Sequence, residues 1–184
     1  LNTFQLFSNT IYLVFLSSIV LVVFSFISNY GNRVTKSKFL NFLTTFSITG
    51  YAIPGVILAV AFITFIAWFD NTFVKAFEFN SIKKIFIGSI FGLVIVYFIR
   101  FYSLAYNGLK TGYERINRSI DESSYLLGYS KIKTFLGIHV PYLKNSVFLI
   151  GILITIEVIK ELPITLILRP FNFETFATTA YIFA

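Results

Sequence analysis

The chain has 184 residues, of which 57% are hydrophobic and 12% are charged, and its mean hydropathy is +0.81. A soluble domain carries about 25% charged residues, so this composition indicates a membrane protein. The net charge of +7 lies beside apolar runs, where cations contact lipid headgroups, and we expect no nucleic-acid partner. The sequence contains no cysteine, which excludes disulfides and cysteine-based metal sites.

Four apolar segments are each long enough to cross a hydrocarbon core of about 30 Å as a helix. They are residues 10–28, 46–69, 85–106 and 146–168. These segments predict an all-α bundle of four to five membrane spans, and residues 1–184 are interpreted as a single transmembrane domain. Because residue 1 is not Met and the last residues are apolar, we expect a fragment that is truncated at both ends.

The second segment contains the run Gly50-Tyr-Ala-Ile-Pro54-Gly55. Proline removes a backbone donor and glycine loosens a helix, so we expect a kink or a break at Pro54. Irregular backbone at membrane depth survives where it faces protein or a water-filled cavity. The segment is therefore either part of a translocation pathway or an ordinary kinked helix. In the third segment, Arg100 is expected to extend to the headgroups.

Charged residues interrupt the last apolar segment. These residues and the proline after them are Glu157, Lys160, Glu161 and Pro163. A charge at the bilayer centre costs about 2.5–3.5 kcal/mol on insertion scales, so this face needs partners or water. One Glu–Lys pair leaves the second Glu unmatched. We interpret the segment as a water-facing pathway or gate; the alternative is an ion pair with Arg169, Arg100 or another subunit that locks helices together.

The distribution of Lys and Arg predicts the orientation in the membrane. Residues 29–38 and 107–145 together hold more of these cations than residues 70–84. Four alternating spans place the first two segments on one side. We therefore expect 29–38 and 107–145 to be cytoplasmic and 70–84 to face outward.

The long polar segment, 107–145, is predicted to contain two short helices. A first helix over 114–127 carries Ile116, Ile120 and Leu127 along one stripe, with a small serine between them. The alternative to a docking role is an amphipathic hairpin that lies at the membrane interface without a partner.

A corner is predicted between these two helices. Gly128 follows the apolar stripe, where a residue with left-handed backbone ends a helix at the lowest cost. Ser130 then suits the N-cap of the second helix. His139, the only histidine, lies on this helix, where we expect a packed or hydrogen-bonded role and no metal ligation.

The spacing within this segment resembles the cytoplasmic "EAA" loop of ABC-importer permeases. The family consensus of Glu-Ala-Ala, Gly and Ile-x-Leu-Pro is matched by Glu122-Ser-Ser, Gly128 and Ile138-His-Val-Pro141. The departures are Ser for Ala twice and Val for Leu. The resemblance implies that the 116–141 loop docks on a separate ATPase dimer, with Glu122 pairing with a basic residue. The docking residues that it implies are Asp121, Glu122, Ser123, Ser124, Gly128, Ile138 and Pro141.

Further motifs resemble the ferric-iron permeases among type I ABC importers. They are Gly50-Tyr-Ala-Ile-Pro-Gly-Val56, Lys160-Glu-Leu-Pro163, Leu168-Arg-Pro-Phe171 and Phe173-Glu-Thr-Phe-Ala-Thr178. The resemblance matches the C-terminal half of a two-half permease. It implies a bacterial inner-membrane location, a second permease half or subunit, and a periplasmic binding protein that delivers ferric iron. Thiamine, polyamine, sulfate or phosphonate cargo remains an alternative. The predicted pathway or gate residues are Pro54, Glu157, Lys160, Glu161 and Pro163.

Two other classes of protein are alternatives: a secondary transporter or channel, and a membrane-embedded enzyme. A secondary transporter or channel also fits broken helices with buried carboxylates, but it has no use for an ATPase-docking hairpin. The sequence shows no Ser-His-Asp set, no His-Glu-x-x-His motif and no Gly-rich phosphate loop. We therefore expect no catalytic residue, no cofactor and no metal site in this chain, and ATP hydrolysis by a separate subunit.

Overall fold

The computed structural model describes residues 3–35, 37–69, 71–72 and 86–184, and these residues form helices without any strand. The all-α prediction is confirmed. The helices are α1 Thr3–Thr35, α2 Lys38–Ile48, α3 Gly55–Phe69, α4 Ile90–Glu114, α5 Arg118–Leu126, α6 Lys131–Tyr142, α7 Lys144–Lys160, α8 Pro163–Leu168 and α9 Phe176–Phe183. A 3-10 turn, Thr49–Ala52, follows α2, and α6 contains a π-helical turn, Phe135–His139.

Two continuous helices, α1 and α4, are long and apolar enough to cross a membrane. Two bent pairs meet the same test: α2 with its 3-10 turn and α3 are bent by 118°, and α6 and α7 by 66°. The described part of the chain thus has two spans, or up to four if each bent pair is one span. The outward loop predicted over 70–84 lies, apart from two residues, outside the described residues, as do Lys36 and residue 85.

The centre of the bundle is α4, which packs against α1, α7, the 3-10 turn and α8. Lipid tails are as apolar as leucine, so helices in a membrane associate through small and polar side chains as well as through apolar packing. Accordingly, α1 turns Thr10, Ser17 and Ser25 inward, while Phe15 and Ile27 are exposed on its outer side. Leu13 and Leu21 are buried on the same inner side, so α1 combines small polar and apolar side chains there and is apolar on its outer side.

Two glycines allow α4 to approach α7 closely. A Cβ atom on Gly108 would lie 2.7 Å from Cγ1 of Ile150, and one on Gly112 would lie 2.7 Å from both Leu143 Cδ2 and Ser146 Oγ. Their spacing is the Gly-x-x-x-Gly pattern of close helix contacts in membranes. The signal is present in the sequence as two glycines four residues apart, just after the third apolar segment.

The ends of α1 and α4 differ from the predicted spans. Residues 29–35 belong to α1 and not to a loop, because the Asn29 side chain donates to the Tyr106 carbonyl oxygen (3.1 Å) and Asn32 donates to the Tyr106 hydroxyl (3.1 Å). Polar residues can thus continue the helix against α4. In turn, α4 begins at Ile90, after the N-cap Ser89, and continues to Glu114, eight residues beyond the predicted end at 106.

The second and last predicted spans are interrupted. The segment 46–69 divides between the end of α2, the 3-10 turn and α3, which confirms the break expected at Pro54. The segment 146–168 is not one helix, because α7 ends at Lys160, Glu161 has extended backbone (φ −74°, ψ 99°), and Pro163 opens α8. A proline at the first turn of a helix costs nothing, whereas it cannot continue a preceding one.

Candidate functional site

The first helix of the polar segment is shorter than predicted. It begins at Arg118 and not at 114, because Asn117 has extended backbone and its side chain accepts from the Ser119 amide at 3.2 Å. An N-cap of this kind starts a new helix and separates α5 from α4. Ile116 therefore lies before the helix, where it is buried, and does not belong to the predicted stripe.

A sharp corner joins α5 to α6. Gly128 has a φ of +80°, and its amide donates to the Tyr125 carbonyl oxygen, while the Tyr129 amide donates to that of Ser124, both at 3.0 Å. This pair of bonds is the Schellman motif, which favours glycine at the left-handed position. The Ser130 side chain then accepts from the Lys133 amide at 3.3 Å. Both predictions, the glycine corner and the serine N-cap, are confirmed.

A buried trio of charged and polar side chains fastens this hairpin to the bundle. Asp121 Oδ2 accepts from Arg33 Nε at 2.6 Å, and Asp121 Oδ1 lies 2.7 Å from His139 Nε2. Arg33 belongs to α1, Asp121 to α5 and His139 to α6, so three helices meet at one carboxylate. The hydrogen-bonded role expected for His139 is confirmed.

Further bonds hold the two hairpin helices together. The Ser124 and Thr134 hydroxyls lie 2.8 Å apart and link α5 to α6. The Tyr30 hydroxyl donates to the Lys131 carbonyl oxygen at 2.6 Å, and the rings of Tyr30 and Phe135 lie 4.8 Å apart. The hairpin is therefore attached to α1 through Tyr30 as well as through Arg33.

Burial lowers the pKa of His139, because the low-dielectric interior disfavours the imidazolium ion. The Asp121 carboxylate acts in the opposite direction, and the Arg33 guanidinium adds to the lowering. A neutral His139 can donate its Nε2 proton to Asp121, and this arrangement matches the 2.7 Å contact.

The predicted docking residues separate into two groups. Asp121 and Ser124 are buried and contact the protein's own helices, whereas Glu122, Ser123, Gly128 and Pro141 are exposed and Ile138 is partly buried. A groove of about 520 Å³ runs between the hairpin helices, and its lining includes Ile120, Ser123, Leu127 and Ile138. The predicted stripe on α5 thus lines one wall of this groove.

Apolar side chains on the two hairpin helices and at their corner are strongly exposed. Leu126 is 89% exposed and Leu127 76%, and on α6 Ile132 is 70% and Leu136 60% exposed. We call these four residues the apolar tip. Leucines exposed to this degree, close together on a rigid corner, are typical of a surface that another protein covers.

The predicted pathway residues lie near the two helix breaks. Arg100, near the middle of α4, donates from Nη1 to the Ile53 carbonyl oxygen at 2.6 Å, and its Nε lies 3.0 Å from Glu161 Oε2. The expectation that Arg100 extends to the headgroups is therefore wrong. Its ion pair with Glu161 is the alternative left open above, and it supplies the charge that this buried carboxylate needs.

The remaining charges of the last segment point elsewhere. Lys160 Nζ donates to Glu157 Oε1 at 3.0 Å, with the two side chains 62% and 27% exposed. Pro54 is exposed and Pro163 is half-buried. Glu157 and Lys160 therefore form a partly exposed pair on α7, separate from the buried pair of Arg100 and Glu161.

A polar cavity of about 700 Å³ opens beside the hairpin, between α1, α2 and α4. Asn29, Asn32, Asn41, Lys110 and Arg118 contribute to its wall. Over the described residues, no group of three or more His, Cys, Asp or Glu side chains could hold a metal ion.

The fold and these sites define a class: an α-helical membrane protein with two interrupted helices and a polar hairpin that presents an exposed apolar tip. The family model described as "Binding-protein-dependent transport system inner membrane component" matches residues 22–180. The chain belongs to this family and is an inner-membrane permease of a type I ABC importer. It is a transport component and not the catalytic subunit, and the family implies an ABC ATPase, a further permease subunit and a binding protein. A search of the curated proteins finds no match.

Proposed function

We propose that this permease translocates ferric iron, which a periplasmic binding protein delivers, and that a separate ATPase dimer drives the transport through the 116–141 hairpin. The observation that carries the proposal is the hairpin itself. It is held rigidly on its inner side by Asp121, while its outer side exposes an acidic residue, Glu122, next to the apolar tip. In this proposal 29–38 and 107–145 are cytoplasmic.

The apolar tip is where we place the ATPase. Fully burying a leucine side chain contributes about 1.5–3 kcal/mol, so covering Leu126 and Leu127 would make docking favourable. Glu122 lies beside them and would pair with a basic residue of the ATPase. Asp121 and Ser124 hold the docking helix against α1 and α6. Gly128 forms the corner and Ile138 lines the groove, while Pro141 follows Ile138 on α6.

A push on the hairpin would reach the membrane helices directly. Asp121 ties α5 to α1 through Arg33, and α6 leads through a 66° bend into α7. Because packed helices move as bodies rather than deforming continuously, ATP-driven closure of the ATPases would shift α1 and α7 together. The far end of α7 carries Glu157, Lys160 and Glu161, which with Pro54 and Pro163 form the proposed pathway or gate.

The cargo proposal rests on the four motifs that resemble the ferric-iron permeases. We propose no iron ligand, cofactor or catalytic residue in this chain, since the binding protein selects the cargo and the permease supplies a polar route. Thiamine, polyamine, sulfate and phosphonate are the competing cargoes. Uptake of each labelled compound into liposomes that hold the complete complex, with ATP inside, distinguishes them. ATP-dependent uptake of ferric iron alone supports the proposal, and uptake of another compound in its place refutes it.

The docking proposal is tested by charge reversal. Glu122→Arg should abolish co-purification of the ATPase subunit and ATP-driven uptake, because the new cation faces the proposed basic partner. Glu114→Arg is the matched control, since Glu114 is an exposed acid at the end of α4, away from the tip. If Glu122→Arg retains both the ATPase and uptake at the level of the control, the docking role of this helix is refuted.

A further inference from the structure

We propose that Arg100 is a positioning residue that holds the two helix breaks, 52–55 and 161–163, together so that they move as one unit during transport. This inference rests on the proposed transport function but concerns a residue to which that function assigns no role. The argument comes from the contacts of one side chain with two interrupted helices.

The first contact is with the break between the 3-10 turn and α3. The Ile53 carbonyl precedes a proline, and at this break Arg100 Nη1 donates to its oxygen at 2.6 Å. A helix break leaves carbonyl groups without their helical partners, and inside a membrane these need another donor. Arg100 supplies one from the middle of α4.

The second contact is with the break between α7 and α8. The Glu161 side chain, 7% exposed, lies with Oε2 at 3.0 Å from Arg100 Nε, while its Oε1 accepts from the Ile164 amide at 3.4 Å. The same carboxylate thus caps the start of α8 and binds the guanidinium. The Thr165 hydroxyl, which donates to the Glu161 carbonyl oxygen and bonds to the Tyr97 hydroxyl, ties this break to α4 a second time.

The two breaks also touch one another. A Cβ atom on Gly55 would lie 2.5 Å from Glu161 Oε1, and one on Gly50 would lie 2.1 Å from the Ile99 carbonyl oxygen. Only glycine permits both approaches, so the backbone on either side of Pro54 lies directly against the carboxylate and against α4. The helix α8 packs on α3 as well as on α4.

The consequence is mechanical. Since α7 starts at the hairpin and ends at Lys160, next to Glu161, displacement of α7 would reach Arg100, and through Ile53 it would reach the α3 break. Separating the breaks would leave a partly buried guanidinium and a buried carboxylate without partners, which is more costly than moving both breaks together. Arg100 therefore makes the two interrupted helices respond jointly to the ATPase.

The 184-residue sequence contains no cysteine, so two introduced cysteines are the only sites for spin labels within it, and the partner subunits are used in cysteine-free form. Tyr51→Cys and Ile159→Cys place labels next to the two breaks, at residues that are 46% and 37% exposed. The distance distribution between the labels is measured by pulsed electron paramagnetic resonance on the complete complex in liposomes, without nucleotide and with ATP plus vanadate. The comparison is made with Arg100 present, in Arg100→Gln and in Arg169→Gln.

Arg169→Gln is the matched control. The Arg169 side chain is 23% exposed against 21% for Arg100, and it too binds a glutamate, Glu174, and a carbonyl oxygen, that of Phe173. It does so at the end of α8 and touches neither break. In the doubly labelled protein with Arg100 present, we expect a narrow distance distribution that is the same in both nucleotide states. We expect the Arg169→Gln control to give the same narrow distribution.

Arg100→Gln should widen the distribution and lower uptake per ATP hydrolysed by about tenfold, within the usual range of coupling between sites, in complexes that assemble normally. If Arg100→Gln prevents assembly, the same two measurements are made on Glu161→Gln, which removes the ion pair while retaining an acceptor for the Ile164 amide. It too should widen the distance distribution and lower uptake per ATP hydrolysed. Unchanged distributions and unchanged uptake per ATP in these variants would overturn the inference. The distance comparison needs no cargo, so failure of ferric-iron uptake in the unmodified complex refutes the proposed function separately.

Discussion

The Arg33 guanidinium lies 2.6 Å from the Asp121 carboxylate and joins the last turn of α1 to the first turns of α5. Arg33 also donates to the carbonyl oxygens of Tyr113, Ile116 and Asn117, where α4 gives way to the hairpin. One side chain therefore satisfies the free carbonyls at the end of a helix and orients the next helix. If the hairpin is the docking surface that we propose, this anchoring is what would carry force on it to the membrane helices.

Asp121→Asn should loosen the hairpin, because it leaves the Arg33 cation without its counter-ion. The two side chains are only 11% and 12% exposed, and breaking a buried pair of this kind costs about 3 kcal/mol. The expected result is faster amide hydrogen exchange over 118–142 and a lower melting temperature. With the permease measured in detergent without the ATPase, Glu122→Gln, at the next and exposed residue, should leave both unchanged, and equal exchange in the two variants would contradict the anchoring role.

Gly128→Ala should destabilise the hairpin by about 1–2 kcal/mol, because an L-residue with a side chain is strained at a positive φ. Gly137→Ala is the matched control: neither glycine has an atom within 4 Å of an added Cβ, but Gly137 is helical without a positive φ. Its replacement should be neutral or stabilising by up to about 1 kcal/mol. Melting temperatures of the two variants check the difference, and a Gly128→Ala variant as stable as the control would contradict it.

Gly112→Ala should push α4 away from α7, because the new Cβ would lie 2.7 Å from Leu143 Cδ2 and from Ser146 Oγ. Overpacking of this kind costs about 1–3 kcal/mol. Gly151→Ala, on α7 with no atom within 4 Å of an added Cβ, is the control. Thermal melting of the detergent-purified complex compares them, and the idea of a close glycine contact fails if both variants melt alike.

The hairpin should lose stability in mild acid. Burial lowers the pKa of His139, so the folded hairpin favours the neutral ring. The contribution of the neutral ring to the free energy of unfolding is fully present above the unfolded pKa of about 6.5. It falls as the pH drops below that value, because His139 then binds a proton more readily in the unfolded chain than in the folded hairpin. Arg33, Asp121 and the Tyr113 ring surround His139, which is the only histidine in the chain.

The measurement is the melting temperature of the complex between about pH 7.5 and 5.5, a window in which few other side chains titrate. His139→Gln keeps a donor near Asp121 but cannot titrate, so its melting temperature should fall less over the same range. Identical pH profiles for the two proteins would show that His139 does not control the hairpin.

The corner and the N-cap of the hairpin, and the helix break at Pro54, could be predicted from the sequence because each depends on neighbouring residues only. Gly128 requires only its own positive φ, Ser130 caps the next turn, and Pro54 breaks the helix that it enters. The start of α5 could not be placed in the same way. The apolar stripe that includes Ile116 indicates a helix that begins before Asn117, whereas Asn117 itself favours an N-cap. The structure has the N-cap, because Ile116 is buried against the bundle without belonging to α5.

The amino-acid sequence alone determined that the chain is a helical membrane protein, that its second apolar segment breaks at Pro54 and that its polar hairpin turns at Gly128, because apolar run length, proline and glycine act on their own neighbours. Only the tertiary structure decided which charges meet. Asp121 and Glu122 are adjacent, yet one faces Arg33, which is distant in sequence, and the other faces outward. Likewise, Glu161 forms its ion pair with Arg100 and not with Lys160, the residue next to it in sequence, which pairs with Glu157. Such pairings depend on helix packing, since a buried carboxylate binds whichever cation the fold brings within reach.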